Sequence, residues 1–350
     1  MAAENKTLVP VWICYVDGKR LDTKHEGALI KIKVNDKLNE IGKASLFFDC
    51  SAEKILDLGS FKYGSEVSIH LGYKDDVEEV FRGEVTGFEI LLKEGGHEMC
   101  EVECSNVLHL FEHGRQYKSV ENKKASDVVK DIIDAYSLKS DVDDFGAEFE
   151  FDVSEDISDL DLVLNFCNLY GKDLYAYGDT VYVKDNIQVR DDDVIFEWGK
   201  SLINFKAGQR IDNLFSEVNF IGWDNQKNEA VSANSSLNDI TVKVGGSKTW
   251  NELYKNGSSS FKCQISKLRA FDNENAKNIA TGILTKNSFE FMTATGKGEG
   301  TYKLLPGMRV NIKYVGKMFE GEYIAESVIH EFDINTGYVT SFILKRNMGE

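Results

Sequence analysis

Residues 64–69 of this chain read Gly-Ser-Glu-Val-Ser-Ile, and residues 81–85 read Phe-Arg-Gly-Glu-Val. Far along the chain, residues 307–312 read Gly-Met-Arg-Val-Asn-Ile, and residues 319–323 read Phe-Glu-Gly-Glu-Tyr. In both copies a glycine precedes two β-branched residues, three and five positions on, and a Phe-x-Gly-Glu sequence follows. The shared order predicts an internal duplication of one β unit.

The glycines of the repeat predict how each unit bends. Gly64 and Gly307 stand before a predicted strand, whereas Gly83 and Gly321 stand within the second hairpin strand. Glycine tolerates φ > 0 in turns and marks bulges or tight bends inside strands. We therefore assign all four glycines to the bends of two related small β-barrels.

Outside the repeat, hydrophobic periodicity predicts the domain organisation. Period-2 alternation over residues 29–34 and 67–71 predicts half-buried strands, whereas helical spacing over residues 124–136 and 158–170 predicts helices. We expect a mainly β fold with an α+β insertion. Its parts are a first β-barrel domain at 1–115, an α/β insert domain at 116–200, and a second β-barrel domain at 201–350 with a loop and helix insertion around 224–290.

Local signals refine this division. We expect helix starts at Ser126 and Ser158, and a helix end at Gly171, because serine caps helix N-termini and glycine ends helices. A hairpin is predicted over residues 174–183, and one short helical turn over 51–58.

Composition excludes several functions. The 350 residues contain 41 Lys and Arg against 58 Asp and Glu, a net charge of −17, which disfavours stable binding to a phosphate backbone. The apolar run at 8–16 lacks a positive flank, so we expect a buried strand there and not a signal peptide. No stretch approaches the ~18 apolar residues of a membrane helix, so we expect a soluble chain without membrane insertion.

The six cysteines predict buried thiols. They are dispersed and have no CxxC spacing. Cys100, Val102 and Cys104 alternate with two glutamates, as expected of the core face of a strand.

The sequence offers no catalytic, metal-binding or cofactor-binding residue, so we expect no enzyme and no cofactor. His109 and His113 have i, i+4 spacing without the HExxH glutamate. Residues 295–301 read Thr-Gly-Lys-Gly-Glu-Gly-Thr, which departs from a phosphate-binding loop and predicts a flexible glycine loop. The acidic stretch 141–161 begins like a calcium loop but lacks its third ligand and closing glutamate, which predicts a solvated acidic surface.

The order of several motifs resembles a known family. The motifs are Phe81-Arg-Gly-Glu-Val85, Asn122-Lys-Lys-Ala-Ser-Asp-Val-Val129, Ser158-Asp-Leu-Asp-Leu-Val-Leu164, Leu169-Tyr-Gly171 and Leu305-Pro-Gly307 followed by Phe319-Glu-Gly321. Together they resemble the late-control D family of baseplate hub proteins from contractile phage tails. They are also similar to the N-terminal half of VgrG, although the chain resembles the stand-alone hub because it ends at Glu350.

The resemblance implies a structural role. It implies a homotrimer whose six barrels adapt a hexameric tail tube to a trimeric spike, with other baseplate proteins as further partners. It also implies assembly in the cytoplasm into a phage tail, bacteriocin or secretion particle. The C-terminal end, Lys345, Arg346 and Asn347, is expected to face the spike. The alternative is an envelope-acting glycan-binding protein or cell-wall hydrolase associated with a tail.

Overall fold

The computed structural model describes residues 9–50, 58–74, 76–92, 98–114, 116–146, 148–224, 227–255, 260–266 and 272–350. The predicted helical turn at 51–58 lies outside the described residues except for its last position. The predicted first strand is present as far as it is described, because residues 10–16 are extended.

The elements alternate between long runs of strands and a helical middle. The strands are β1 (Pro10–Val16), β2 (Lys19–Arg20), β3 (Leu29–Lys37), β4 (Lys43–Asp49), β5 (Glu66–Tyr73), β6 (Asp76–Leu91), β7 (Met99–Ser105), β8 (Gln116–Lys124), β9 (Lys139–Val142), β10 (Glu148–Ile157), β11 (Asp173–Tyr177), β12 (Thr180–Lys184), β13 (Val194–Glu197), β14 (Leu202–Gln209), β15 (Glu217–Asp224), β16 (Glu229–Ser236), β17 (Lys248–Thr249), β18 (Lys262–Ile265), β19 (Met292–Glu299), β20 (Arg309–Lys313), β21 (Gly321–Asp333), β22 (Gly337–Arg346) and β23 (Met348–Gly349). The helices are α1 (Thr23–Ala28), α2 (His109–Glu112), α3 (Ala125–Ala135), α4 (Asp159–Tyr170), α5 (Trp250–Leu253) and α6 (Asn273–Ser288). In the described part of the chain, no helix combines the length and apolar character needed to cross a bilayer.

One large sheet dominates the molecule, as the mainly β prediction required. Thirteen strands form it, in the order β14-β19-β22-β21-β3-β4-β7-β6-β5-β1-β2, with β20 bridging β13 and β21. All of its pairs are antiparallel except β13–β20. The path through the described strands is continuous and open, with the two halves sharing the β21–β3 pair, so it does not divide into two separately closed barrels.

Alternating burial explains the strands of the first half. In β7, Cys100, Val102 and Cys104 are buried, which confirms the predicted core face. Their side chains join a core built from β1, β3, β4, β5 and β6. Burial raises the pKa of the Cys14 thiol to about 12, so this thiol stays neutral at physiological pH.

The insert follows its local signals closely. The Ser158 hydroxyl accepts a hydrogen bond from the Asp161 backbone N–H at 3.0 Å, and α4 ends at Gly171 with φ 70°. The predicted hairpin is β11–β12. The predicted cap of α3 at Ser126 is wrong by two residues, because the helix begins at Ala125, its N-cap is Lys124, and the Ser126 side chain is buried inside the first turn. Strand β13 falls numerically within 116–200 but pairs with β20 of the large sheet.

The glycine-rich stretch at 295–301 is a strand for most of its length, and the loop prediction is wrong. A Cβ on Gly296 would lie 2.5 Å from the Phe342 ring, and one on Gly298 would lie 2.3 Å from the Phe196 ring. Tyr338 packs on Gly300 in the same way, at 2.2 Å. The glycines therefore create space for aromatic rings on the strand backbone.

The beginning of the acidic stretch is partly neutralised by lysines. Lys184 Nζ lies 2.8 Å from an Asp141 oxygen, and Lys172 Nζ lies 3.7 Å from an Asp143 oxygen. Lys124 pairs with Asp144 at 2.9 Å. The predicted solvated acidic surface is thus an ion-paired surface at this point, because lysines from β8, from β12 and from the segment after α4 reach it.

Candidate functional site

The large sheet contains the same six-stranded unit twice. In the first unit the spatial order is β1-β5-β6-β7-β4-β3, and in the second it is β13-β20-β21-β22-β19-β14. When the six strands of each unit are numbered by their order along the chain, both units have the same spatial order in the sheet: first, fourth, fifth, sixth, third, second. The units differ in one pairing, because β1–β5 is antiparallel whereas β13–β20 is parallel.

Two β-bulges recur at equivalent places. The pairing of β6 with β7 shifts between Val85 and Gly87, and that of β21 with β22 shifts between Ala325 and Ser327. Each shift leaves one extra residue, Thr86 or Glu326.

The second bulge lies in the second strand of each unit, which is β3 in the first unit and β14 in the second. Pairing of β3 with β4 shifts between Leu29 and Lys31, and that of β14 with β19 shifts between Leu202 and Asn204. Matching bulges fix the equivalence of the two units residue by residue, because a bulge marks one position in a register.

This register changes part of the sequence alignment. Gly64 and Gly307 remain equivalent, and both have positive φ, 77° and 86°. Gly83 faces Val67, however, whereas Gly321 faces Ile312.

The two hairpin glycines are thus two residues out of register. The structural counterpart of Gly83 is Tyr323, which faces Val310. Gly83 allows close approach of the Ser105 carbonyl oxygen, 2.2 Å from the position of a Cβ, and Gly321 begins its strand with φ 111°. The two residues have different local roles, and their assignment to barrel bends stays a prediction.

The two units are joined edge to edge. Residues 327–333 of β21 pair with residues 31–37 of β3. A Lys31–Glu331 ion pair at 3.1 Å and a hydrogen bond from Ser327 Oγ to the Asp36 carbonyl at 3.2 Å reinforce the joint. The fifth strand of the second unit thereby covers the second strand of the first.

The equivalent strands, β6 as the fifth strand of the first unit and β14 as the second strand of the second unit, have open edges in the described part of the chain. Beyond Val85, β6 pairs only with β7, and β14 pairs only with β19 among the described strands of this sheet. Apolar side chains remain exposed there: Phe88 at 38%, Ile90 at 50% and Ile203 at 52%. Unpaired strand edges with apolar side chains are typical sites of strand addition. Sequence motifs do not mark this pair of edges, although residues 88–92, which are apolar except for Glu89, were a signal for one of them.

The C-terminal residues assigned to the spike side are largely enclosed. Arg346 and Asn347 are each 1% exposed. Arg346 donates to the Glu320 carbonyl at 2.6 Å and to the Met318 carbonyl at 2.6 Å, and its guanidinium lies 4.6 Å from the Tyr323 ring centre. Burial lowers the pKa of this guanidinium. These two side chains hold the end of the chain in place within the single copy.

Asn347 and Lys345 complete this anchoring. Asn347 Oδ1 accepts from the Val244 N–H at 2.9 Å, and its amide donates to the Val242 carbonyl at 2.7 Å. Lys345 pairs with Asp173 of the insert at 3.3 Å. The orientation of the C-terminal end toward a spike stays a prediction.

A second junction ties the insert to both units. Arg190 donates to the Tyr302 carbonyl at 2.8 Å and also to the Glu79 carbonyl and the Tyr177 hydroxyl. Its guanidinium lies 5.2 Å and 5.6 Å from the ring centres of Tyr177 and Tyr302. One side chain thus fixes the insert against the first and second units.

The candidate metal-binding histidines lie in an ordinary polar setting. The rings of His109 and His113 are 5.6 Å apart, edge to face, and His109 Nε2 lies 3.5 Å from a Glu84 oxygen. Burial lowers the pKa of His109. Within the described ranges, no three His, Cys, Asp or Glu side chains gather as a metal site would require.

The fold is shared with solved tail proteins. The tail protein from Neisseria meningitidis MC58 has a TM-score of 0.69 at 13% identity, covering 97% of each chain. The 43 kDa tail protein of prophage MuSo2 from Shewanella oneidensis has a TM-score of 0.69 at 12% identity, covering 97% of this chain and 98% of that one. An Escherichia coli type VI secretion component, c3393, which exhibits structural similarity to the T4 bacteriophage tail proteins gp27 and gp5, has a TM-score of 0.60 at 11% identity, with 96% and 77% coverage.

These similarities define the class of fold: it is that of phage tail and type VI secretion tail proteins. The sequence model of the Alg8 N-terminal domain family matches residues 5–333, and the chain belongs to that family. No curated protein sequence matches the chain.

Proposed function

We propose that this chain is a structural baseplate hub, which trimerises and adapts a hexameric tail tube to a trimeric spike in a contractile tail or injection system. The observation that carries the proposal is the duplicated six-stranded unit with matching bulges. A tube with sixfold symmetry and a spike with threefold symmetry share no single rotational repeat. An adaptor must therefore show six similar surfaces on one side and three identical surfaces on the other.

Three copies of a duplicated chain meet this requirement. They supply six related units, each proposed to curve into a small barrel, and the unduplicated insert retains threefold symmetry. The fold shared with tail proteins agrees with this role. The resemblance to the late-control D family supplies the tube, the spike and other baseplate proteins as partners, with the C-terminal end toward the spike.

The proposal assigns no catalytic step to the chain. Its support is structural: Asp141, at the start of the acidic stretch, is paired with Lys184, and the His109 ring packs edge to face on His113. Purified protein is expected to leave peptidoglycan intact. Turnover that disappears when one carboxylate is neutralised would favour the hydrolase alternative instead.

A symmetry-resolved image of the assembled particle tests the hub role. The expected result is three copies in one ring at the junction of tube and spike, with the C-termini on the spike side. Six copies in the ring, or C-termini directed toward the tube, would contradict the proposal.

A further inference from the structure

The pairing of β21 with β3, which joins the two units within one chain, indicates how two copies of the chain could pair with each other. Within one chain, β21 covers β3 through seven residue pairs that run from Ser327 opposite Lys37 to Asp333 opposite Lys31. By the matched bulges, residues 87–91 of β6 are the counterpart of 327–331, and β14 is the counterpart of β3. Each counterpart lacks the partner strand that its equivalent has, among the strands that the structure describes.

Burial shows what is missing at β6. Phe88 and Ile90 are 38% and 50% exposed. Their counterparts in β21, Val328 and His330, are both 0% exposed, with β3 lying alongside. Phe88 and Ile90 are thus partly exposed to solvent, whereas the residues at the equivalent positions of the second unit are buried.

The same contrast occurs at β14. Ile32 and Val34 of β3 are fully buried at 0%. Their counterparts, Phe205 and Ala207, are only half-buried, and Gly208 faces open space. Both open edges therefore expose apolar residues at positions that a neighbouring strand buries in the internal joint.

We propose that residues 87–91 of β6 pair, antiparallel, with β14 of a second copy of this chain. The inference rests on the proposed hub function and names the surface through which copies meet. In the internal joint His330 lies opposite Val34. Ile90 is the counterpart of His330 and Ala207 that of Val34, so the register places Ile90 opposite Ala207.

Charge supports this register. In the internal joint, Glu331 lies directly opposite Lys33. Its ion pair, however, is with Lys31, two residues before Lys33 on the same strand. The proposed register sets Glu89 and Lys206 in the same diagonal relation, within reach of long side chains.

The contact is head to tail, because the first unit of one copy meets the second unit of the next. Such contacts generate a ring when the rotation closes. Internal and external joints then alternate around the ring, which removes both open edges. Closure after three copies gives the six-unit ring of the proposed hub.

Disulfide trapping tests the register. The full chain would carry Ile90→Cys and Ala207→Cys, in a Cys263→Ser background because Cys263 is the native thiol that is not fully buried. Opposed residues of antiparallel strands have Cα separations of about 4.5–5.5 Å, within the range that a disulfide bridges. The matched control is Glu89→Cys with Ala207→Cys, because a shift of one residue places the two thiols on opposite faces of the sheet.

Oxidation of the concentrated protein is expected to give thiol-reversible covalent dimers and trimers for the test pair, and monomer for the control pair. A trimer by mass in solution that yields no disulfide for the test pair, or equal amounts for both pairs, overturns the proposed pairing and leaves the hub function standing. A chain that stays monomeric at every concentration and yields no covalent oligomer overturns both.

A charge substitution gives a second readout. Ile90→Asp places a carboxylate in the proposed joint and is expected to weaken self-association at least tenfold. Ile221→Asp, at a β15 residue that is 46% exposed, is the matched control and is expected to leave association unchanged. Equal effects of the two substitutions would overturn the assignment of this surface.

Discussion

The Asp173 carboxylate lies 3.3 Å from the Lys345 ammonium group, so a residue of the insert is paired with β22, the last long strand of the chain. Lys286 lies 3.8 Å from the same carboxylate, and Asn39 of the first unit donates to it at 2.8 Å. Burial raises the pKa of Asp173, but Lys345 and Lys286 outweigh it and the net pKa is lowered. One carboxylate thus connects the insert to both halves of the large sheet.

Asp173→Asn is expected to destabilise the protein by about 2–4 kcal/mol near neutral pH, because it leaves two partly buried lysines without their shared partner. A lowered carboxyl pKa stabilises the fold above the ordinary pKa and loses this effect as pH falls through the lowered value. The gap between wild type and variant should therefore close below about pH 4. Urea unfolding across pH measures it, and a gap independent of pH would contradict the assignment.

Asp36 gives the opposite pH dependence. It is 3% exposed, with the Tyr175 hydroxyl 3.4 Å away, and burial raises its pKa to about 7 despite that hydrogen bond. The unfolded chain loses this proton at lower pH than the folded one, so Asp36 lowers stability as pH rises from about 4 to 7. Asp36→Asn should flatten the slope over that window, whereas Asp173→Asn should not. Unchanged slopes in both variants would refute the prediction.

Gly298→Ala is expected to cost about 1–3 kcal/mol, because a Cβ would lie 2.3 Å from the Phe196 ring and 2.8 Å from the Ser201 carbonyl oxygen. Gly208→Ala is the matched control in the neighbouring strand, where a Cβ meets nothing within 4 Å. Thermal unfolding of dilute protein should separate the two variants by several degrees. Equal melting temperatures would show that the strand adapts to the added methyl group.

Arg346→Lys should destabilise the C-terminal strand although it keeps the positive charge. Lysine has no planar fork with which to reach the Met318 and Glu320 carbonyls together while lying over the Tyr323 ring. We expect a loss of about 2–3 kcal/mol. Arg82→Lys, at an exposed ion pair with Glu79, is the control and should change stability by less than about 1 kcal/mol. Similar losses for both would contradict the structural role of Arg346.

The sequence by itself determined the local structure of this protein. The cap at Ser158, the end of α4 at Gly171 and the β11–β12 hairpin depend on interactions within a few residues, so composition and spacing predict them. Alternation at Cys100 and Cys104 marked the core face of β7 for the same reason. The repeat at Gly64 and Gly307 was also readable, because both residues serve a turn that needs positive φ.

Only the tertiary structure decided which strands meet and in what register. The β21–β3 joint links residues about three hundred positions apart, and the displacement of Gly83 from Gly321 follows from pairing registers that no local motif encodes. Gly298 lies in a strand because β19 pairs with β14 on one side and β22 on the other, and a glycine has no side chain whose alternation could mark a buried face. The open edges of β6 and β14 could also be identified only from the tertiary structure. Whether a strand lies at an edge depends on where all the other strands are placed.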